Sequence, residues 1–159
     1  MTKTARGFSV SVRTHISYQR TLTRLREALR QHGFETLGEL SLDRELERKV
    51  GLRCQPCTVF VVWSPFHAYQ AVLSDRNGGL LVPLNLCVAQ DGSSTFIAVM
   101  NHAALNRSGG ALGIQVMVRL LVDKIHEVLT EAVTQEESFR PRKAQEKRNR
   151  NNDILNELR

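Results

Sequence analysis

A chain of 159 residues, 42% hydrophobic and 24% charged, has length and apolar content for one packed core, which excludes a low-complexity or disordered chain. The N-terminal segment alternates rather than building the apolar core of a signal peptide, the most apolar run (111–122) is too short to span a bilayer and carries Arg119, and three cysteines, an odd number, do not make a disulfide framework. A cytoplasmic protein in a reducing compartment, with no membrane association, is therefore expected. The net charge of +6 is uneven: residues 1–30 carry seven Lys/Arg against one Glu, residues 31–139 eight against twelve acids, and residues 140–159 seven against three.

Taken in chain order, Phe8 to Val12 alternates apolar and polar residues and predicts a half-buried strand. From Ser17 the period changes. Tyr18, Leu22, Leu25 and Leu29 fall on one helical stripe and Arg20, Arg24, Arg26 and Arg30 on the other side, with Ser17 as the N-cap and Gly33 past the C-terminus. Phe34 to Leu42 predicts a second strand, and Asp43 to Val50 a short charged helix closed by Gly51. Thr58 to Trp63 is apolar at every position but the first, the pattern of a central strand covered on both faces, and Pro65 ends it. A short helix over Phe66 to Ser74 stops at Asn77-Gly78-Gly79. Leu84 to Ala89 and Thr95 to Met100 flank the hairpin signal Asp91-Gly92. A long helix follows from about Ala111 to Val133, with Ile114, Met117, Val118, Leu121, Ile125, Val128 and Leu129 as its core stripe. Val116, Leu120 and Val122 widen its apolar face, so it is expected to be covered on more than one side, by its own domain or by a second subunit. One α+β domain over residues 1–137 is expected. The basic tail 138–159 is expected to be frayed or an extended helix, with Ile154, Leu155 and Leu158 as a docking stripe.

Gly33-Phe-Glu-Thr-Leu-Gly-Glu-Leu, Cys54-Gln-Pro, Ser64-Pro65, Ala68-Tyr69 and Gly79-Leu-Leu-Val-Pro83-Leu-Asn85 resemble the family of domain of unknown function 302, over roughly residues 7–128. The resemblance implies a TBP-like α+β fold, a single antiparallel sheet with helices on one face in the order β-α-β-β-β-β-α, and it brings no established activity with it. Many relatives have Cys-Asn-Pro where Trp63-Ser64-Pro65 stands, Pro-Cys-Asn where Pro83-Leu84-Asn85 stands, and an aromatic residue in place of Cys57. A cysteine-based activity of those relatives is therefore not carried over.

Cys54-Gln-Pro-Cys57 has the spacing of a thiol redox pair, but it precedes a strand. The redox motif needs its first thiol at a helix N-terminus, where the dipole lowers the thiol pKa. As metal ligands, Cys54 and Cys57 supply two of the four that a structural zinc site needs, and Cys87 reads as isolated within its strand. The five histidines form no HExxH or triad spacing, and Ser64 lacks the glycines of a nucleophile elbow, so no catalytic residue is assigned. Asn106 to Gly113 is a glycine-rich lead into the last helix without the Lys-Ser/Thr of a P-loop.

These observations give one expected function and two alternatives. The leading expectation is a non-enzymatic homodimer that binds a small apolar or mixed ligand or acts as an interaction module. It needs no cofactor, and its pocket would lie where Trp63, Ser64, Asn85 and Cys54 meet. The first alternative is a thiol- or metal-dependent enzyme or sensor using Cys54 and Cys57. The second is nucleic-acid binding through Arg20, Arg24, Arg142 and Lys143, which the scattered basic charge favours least.

Overall fold

The structure is a computed structural model that describes residues 2–6, 9–101 and 112–134, with side chains described over 9–101 and 115–134. Six strands form one antiparallel sheet in the order β1-β2-β6-β5-β4-β3. They are β1 (Thr2–Arg6), β2 (Ser9–Thr14), β3 (Glu35–Ser41), β4 (Cys57–Trp63), β5 (Leu84–Asp91) and β6 (Ser94–Met100). The helices are α1 (Tyr18–Gln31), α2 (Leu42–Val50), α3 (Pro65–Ser74), a 3-10 turn over Arg76–Leu81, and α4 (Leu112–Thr134). No helix among the described residues is long and apolar enough to cross a membrane.

The α+β class, the single antiparallel sheet and the expected strand-helix order all hold, with β2 to β6 as the five anticipated strands. The sequence reading missed β1. Thr-Lys-Thr-Ala-Arg has no apolar alternation to announce a strand, and it joins the sheet by backbone pairing along β2, from Thr2 opposite Arg13 to Arg6 opposite Ser9. The tail 138–159, including Ile154, Leu155 and Leu158, and the glycine-rich segment before α4 lie outside the described residues.

Local chemistry sets the boundaries. At the end of α1, Gly33 takes φ 75°, which an L side chain resists. Phe34 N–H donates to Leu29 O and Gly33 N–H to Arg30 O, a Schellman closure of the last turn. Gly51, at φ 69°, closes α2 in the same left-handed conformation. Gly92 supplies φ 59° for the tight turn between Asp91 and Ser94. Pro65 opens α3 at the position where a missing N–H costs no hydrogen bond.

The core lies between one sheet face and the helices. Leu25 and Leu29 of α1 and Leu121, Ile125 and Leu129 of α4 close over Phe60, Leu86, Val88 and Ile97. Burial along β4 alternates strictly: Thr58, Phe60 and Val62 are buried, while Cys57, Val59, Val61 and Trp63 are only half-buried. The expectation that β4 is covered on both faces is thus corrected, because the side chains of its far face stay partly exposed. Its apolar residues there shield one another and the small side chains Cys87, Ala89 and Ala98. Within this single chain the last helix leaves Val116 and Leu120 exposed on one flank.

Candidate functional site

Two helix starts and one hairpin turn meet at the end of the sheet. Ser17 and Ser41 precede α1 and α2, and neither side chain caps its helix. Between them, Pro56, Thr58 and the β5–β6 turn complete a cleft of about 650 Å³, a volume suited to a small molecule. His15, Tyr18, Asp43, Arg44, Thr58 and Gln90 bring mixed polar chemistry to it. The Tyr18 hydroxyl and Thr58 Oγ1 are 2.7 Å apart, and burial pushes the phenol pKa above its ordinary value. Cys57 N–H donates to Asp43 Oδ1 at 3.3 Å, and Gln90 N–H donates to Pro56 O at 2.9 Å, so both walls are tied to backbone.

The four residues expected to form a pocket do not line this cleft. Trp63 and Asn85 share the open sheet face, where Asn85 is opposite Val61 in register, and the Trp63 indole donates to Glu35 Oε2 at 3.0 Å. Asn85 is exposed, so it needs no protein partner for its amide. Ser64 turns into the protein, 5% exposed, with its Oγ 2.9 Å from His67 Nδ1. Cys54 is exposed at the opposite end of β4. Sequence reasoning missed Tyr18 as a cleft residue because it stands in the core stripe of α1. The one available signal was its hydroxyl, a polar group at the start of an otherwise aliphatic row.

The cysteines are arranged differently from the motif spacing. Cys87 is not isolated: its sulfur is 3.5 Å from that of Cys57 on the neighbouring strand. Burial, then the hydrogen bond to Cys87, push the Cys57 thiol up to about 12. Among the described residues no group of three or more His, Cys, Asp or Glu side chains is placed to hold a metal ion.

Of the basic residues considered for nucleic acid, Arg20 and Arg24 line a groove of about 910 Å³ formed by α1 and Glu131 of α4, while Arg142 and Lys143 lie outside the described residues. Glu27 and Glu131 share that groove, and Glu27 is ion-paired with Arg30 at 2.7 Å. Its walls therefore carry both signs of charge, four arginines with two glutamates, unlike the single-sign stripe that follows a phosphate backbone.

A third feature is apolar. On α3, Phe66, Tyr69 and Leu73 recur at helical spacing on the outer side and are 65%, 66% and 69% exposed. Val72 flanks them. Leu80 of the 3-10 turn, 85% exposed, and Val116 and Leu120 of α4 belong to elements packed directly against α3. Burial lowers the pKa of His67 on α3, and the charge of Lys124, one turn beyond Leu120, adds to that shift.

Comparison with known proteins bears on the fold. The model of the domain of unknown function DUF302 matches residues 9–135. A crystal structure of an uncharacterized conserved DUF302 protein from Bacillus stearothermophilus superposes with a TM-score of 0.73 at 23% identity, covering 79% of this chain and 98% of that one. No curated protein matches.

Proposed function

Because this chain belongs to the DUF302 family, a domain whose fold comes without an assigned chemistry, we propose that it is a non-enzymatic interaction module of the cytoplasm that works as a homodimer. The observation that carries this reading is the apolar surface on α3, the 3-10 turn and the flank of α4. Seven large apolar side chains there are each more than half exposed. At roughly 150–250 Å² for a whole aromatic side chain and somewhat less for Leu or Val, they present on the order of 700–800 Å². A typical monomer carries an apolar patch of about 300–600 Å², and each partner in a standard interface contributes about 800 Å². A second copy supplies the same apolar stripe, so a two-fold axis through α3 would bury both at once. Three free cysteines suit a reducing compartment.

The test is the solution mass. Sedimentation equilibrium at micromolar concentration should return twice the 18.0 kDa chain mass, and Tyr69→Glu with Leu73→Glu should return one chain of unchanged circular dichroism. A wild-type monomer at millimolar concentration sinks the reading.

The end-of-sheet cleft favours a second role, binding of a small ligand of mixed polarity, since hydroxyl, imidazole, carboxylate and guanidinium groups converge on one concavity of suitable volume. Thermal-shift screening against a metabolite panel tests it, with Thr58→Val, which keeps the shape and removes the hydroxyl, as the control that should lose any hit.

A further inference from the structure

The cysteine geometry leads beyond the interaction role and does not depend on it. We infer that Cys57 and Cys87 form a redox-active dithiol that closes reversibly into a disulfide between β4 and β5, with a low-molecular-weight disulfide as the oxidant. Cys57 is opposite Ala89 and Val59 is opposite Cys87, so the two cysteines are diagonal neighbours on one face of adjacent strands. Their sulfurs are already 3.5 Å apart. Closing to a bond of about 2.05 Å needs a rotation of the side chains and an approach of the two strands, since diagonal neighbours lie about 7–8 Å apart and bridged cysteines have Cα atoms about 4.4–6.8 Å apart. Both residues are half-buried on the less buried face of the sheet, so a small oxidant can reach them. Cys54 is exposed, outside β4, and takes no part in this contact.

The chemistry balances without a metal or a cofactor. One protein thiol loses its proton and attacks a sulfur of the small disulfide. The small S–S bond breaks, and one small thiolate leaves with the electron pair and takes up a proton. The second protein cysteine, as thiolate, then attacks the protein sulfur of the mixed disulfide and expels the other small thiol. Two protein thiols are oxidised and one small disulfide is reduced to two thiols. The high pKa of the Cys57 thiol, about 12, sets the character of the pair. Cys57 thiolate is scarce at neutral pH, so the step in which Cys57 attacks is slow and accelerates with pH. A disfavoured thiolate also leaves the disulfide hard to reduce once it has formed. This is the behaviour of a slow lock, unlike that of a fast oxidoreductase with an acidic thiol.

The experiment uses the full chain with oxidised glutathione at about pH 8.5, followed by alkylation and peptide mapping. The expected result is loss of two of the three alkylatable thiols, a mass lower by two hydrogens before alkylation, and a peptide joining Cys57 to Cys87 that dithiothreitol releases. Cys54→Ser should leave that peptide unchanged, and Cys87→Ser should abolish it. A bond between Cys54 and Cys57, three alkylatable thiols after prolonged oxidation, or a glutathione adduct that never resolves would each overturn the inference. If Cys87→Ser unfolds, the wild-type map and the Cys54→Ser map decide the matter between them.

Discussion

Arg26 of α1 and Glu39 of β3 meet through two parallel hydrogen bonds, Nε to Oε1 at 2.7 Å and Nη2 to Oε2 at 2.6 Å. The same guanidinium lies 5.6 Å from the centre of the Phe60 ring in the neighbouring strand. One side chain thus ties a helix to an edge strand and caps a core aromatic ring. The pair raises the Arg26 pKa and lowers that of Glu39. Both residues are partly in solvent, so screening reduces what the ion pair contributes. Arg26→Ala should cost about 1 kcal/mol in urea unfolding, with the ring contact supplying a comparable part of the loss. Arg26→Lys, which cannot make the forked contact, should recover only a fraction.

Gly78 should tolerate no side chain. A β-carbon there would be 2.0 Å from the carbonyl oxygen of Ala71, a backbone atom of α3 that cannot swing aside. Gly78→Ala should destabilise by about 2–3 kcal/mol, read from the chemical-denaturation midpoint, whereas Gly79→Ala, with open space around it, should cost less than about 1 kcal/mol.

Core and patch positions should respond in opposite ways. Leu129 is fully buried, and Leu129→Ala should cost about 3 kcal/mol whatever the association state. Leu73 is mostly exposed, and Leu73→Ala should barely change monomer stability while raising the dissociation constant of the proposed dimer at least several-fold. Equal stability losses for the two variants would mean that α3 is covered within its own chain.

His67 should leave a mark on the pH profile. Burial, assisted by the charge of Lys124, lowers its pKa from the ordinary 6.5. As pH falls through about 6.5 the unfolded chain takes up this proton before the folded one does, so stability declines with acidification until the folded ring also protonates. Urea midpoints for wild type should therefore drop between about pH 7.5 and 5.5, and His67→Gln should flatten that drop. Carboxylates such as Glu39, with lowered values, act at more acidic pH.

Tyr18→Phe tests the cleft wall. Loss of the hydroxyl leaves Thr58 Oγ1 without its 2.7 Å partner and should cost about 1 kcal/mol, measured by thermal unfolding.

Most of the fold could be read from the sequence because its signals are local. The α1 stripe, Gly33, Gly51, Pro65 and the Asp91-Gly92 turn each depend on neighbours a few positions away. What escaped the reading is set by pairing across the sheet. No local pattern in Thr-Lys-Thr-Ala-Arg reveals that β2 has a free edge for it to join. Cys87 reads as solitary until the β4–β5 register brings it beside Cys57. Asn85 follows the same rule: it is expected in a pocket with Trp63, Ser64 and Cys54, but period-two alternation turns it to the more exposed sheet face. The cleft residues come from segments as separate as Tyr18, Asp43 and Gln90, so no spacing could have grouped them.

The pairing of β2 with β6 also has a consequence for how the chain is made. Ser9 finds its partner in Met100, and Thr14 in Thr95, so the first strand of the matched domain must wait for most of the polypeptide before it can be seated. The β3–β4–β5 meander needs no such distant partner. On a ribosome it should take shape first, leaving β2 unsheltered until β6 emerges and the apolar side of α1 unsheltered until α4 follows. Seating β2 against β6 is then the late, slow event, and arrest or truncation of synthesis before residue 94 should produce chains that aggregate rather than chains that are merely less stable.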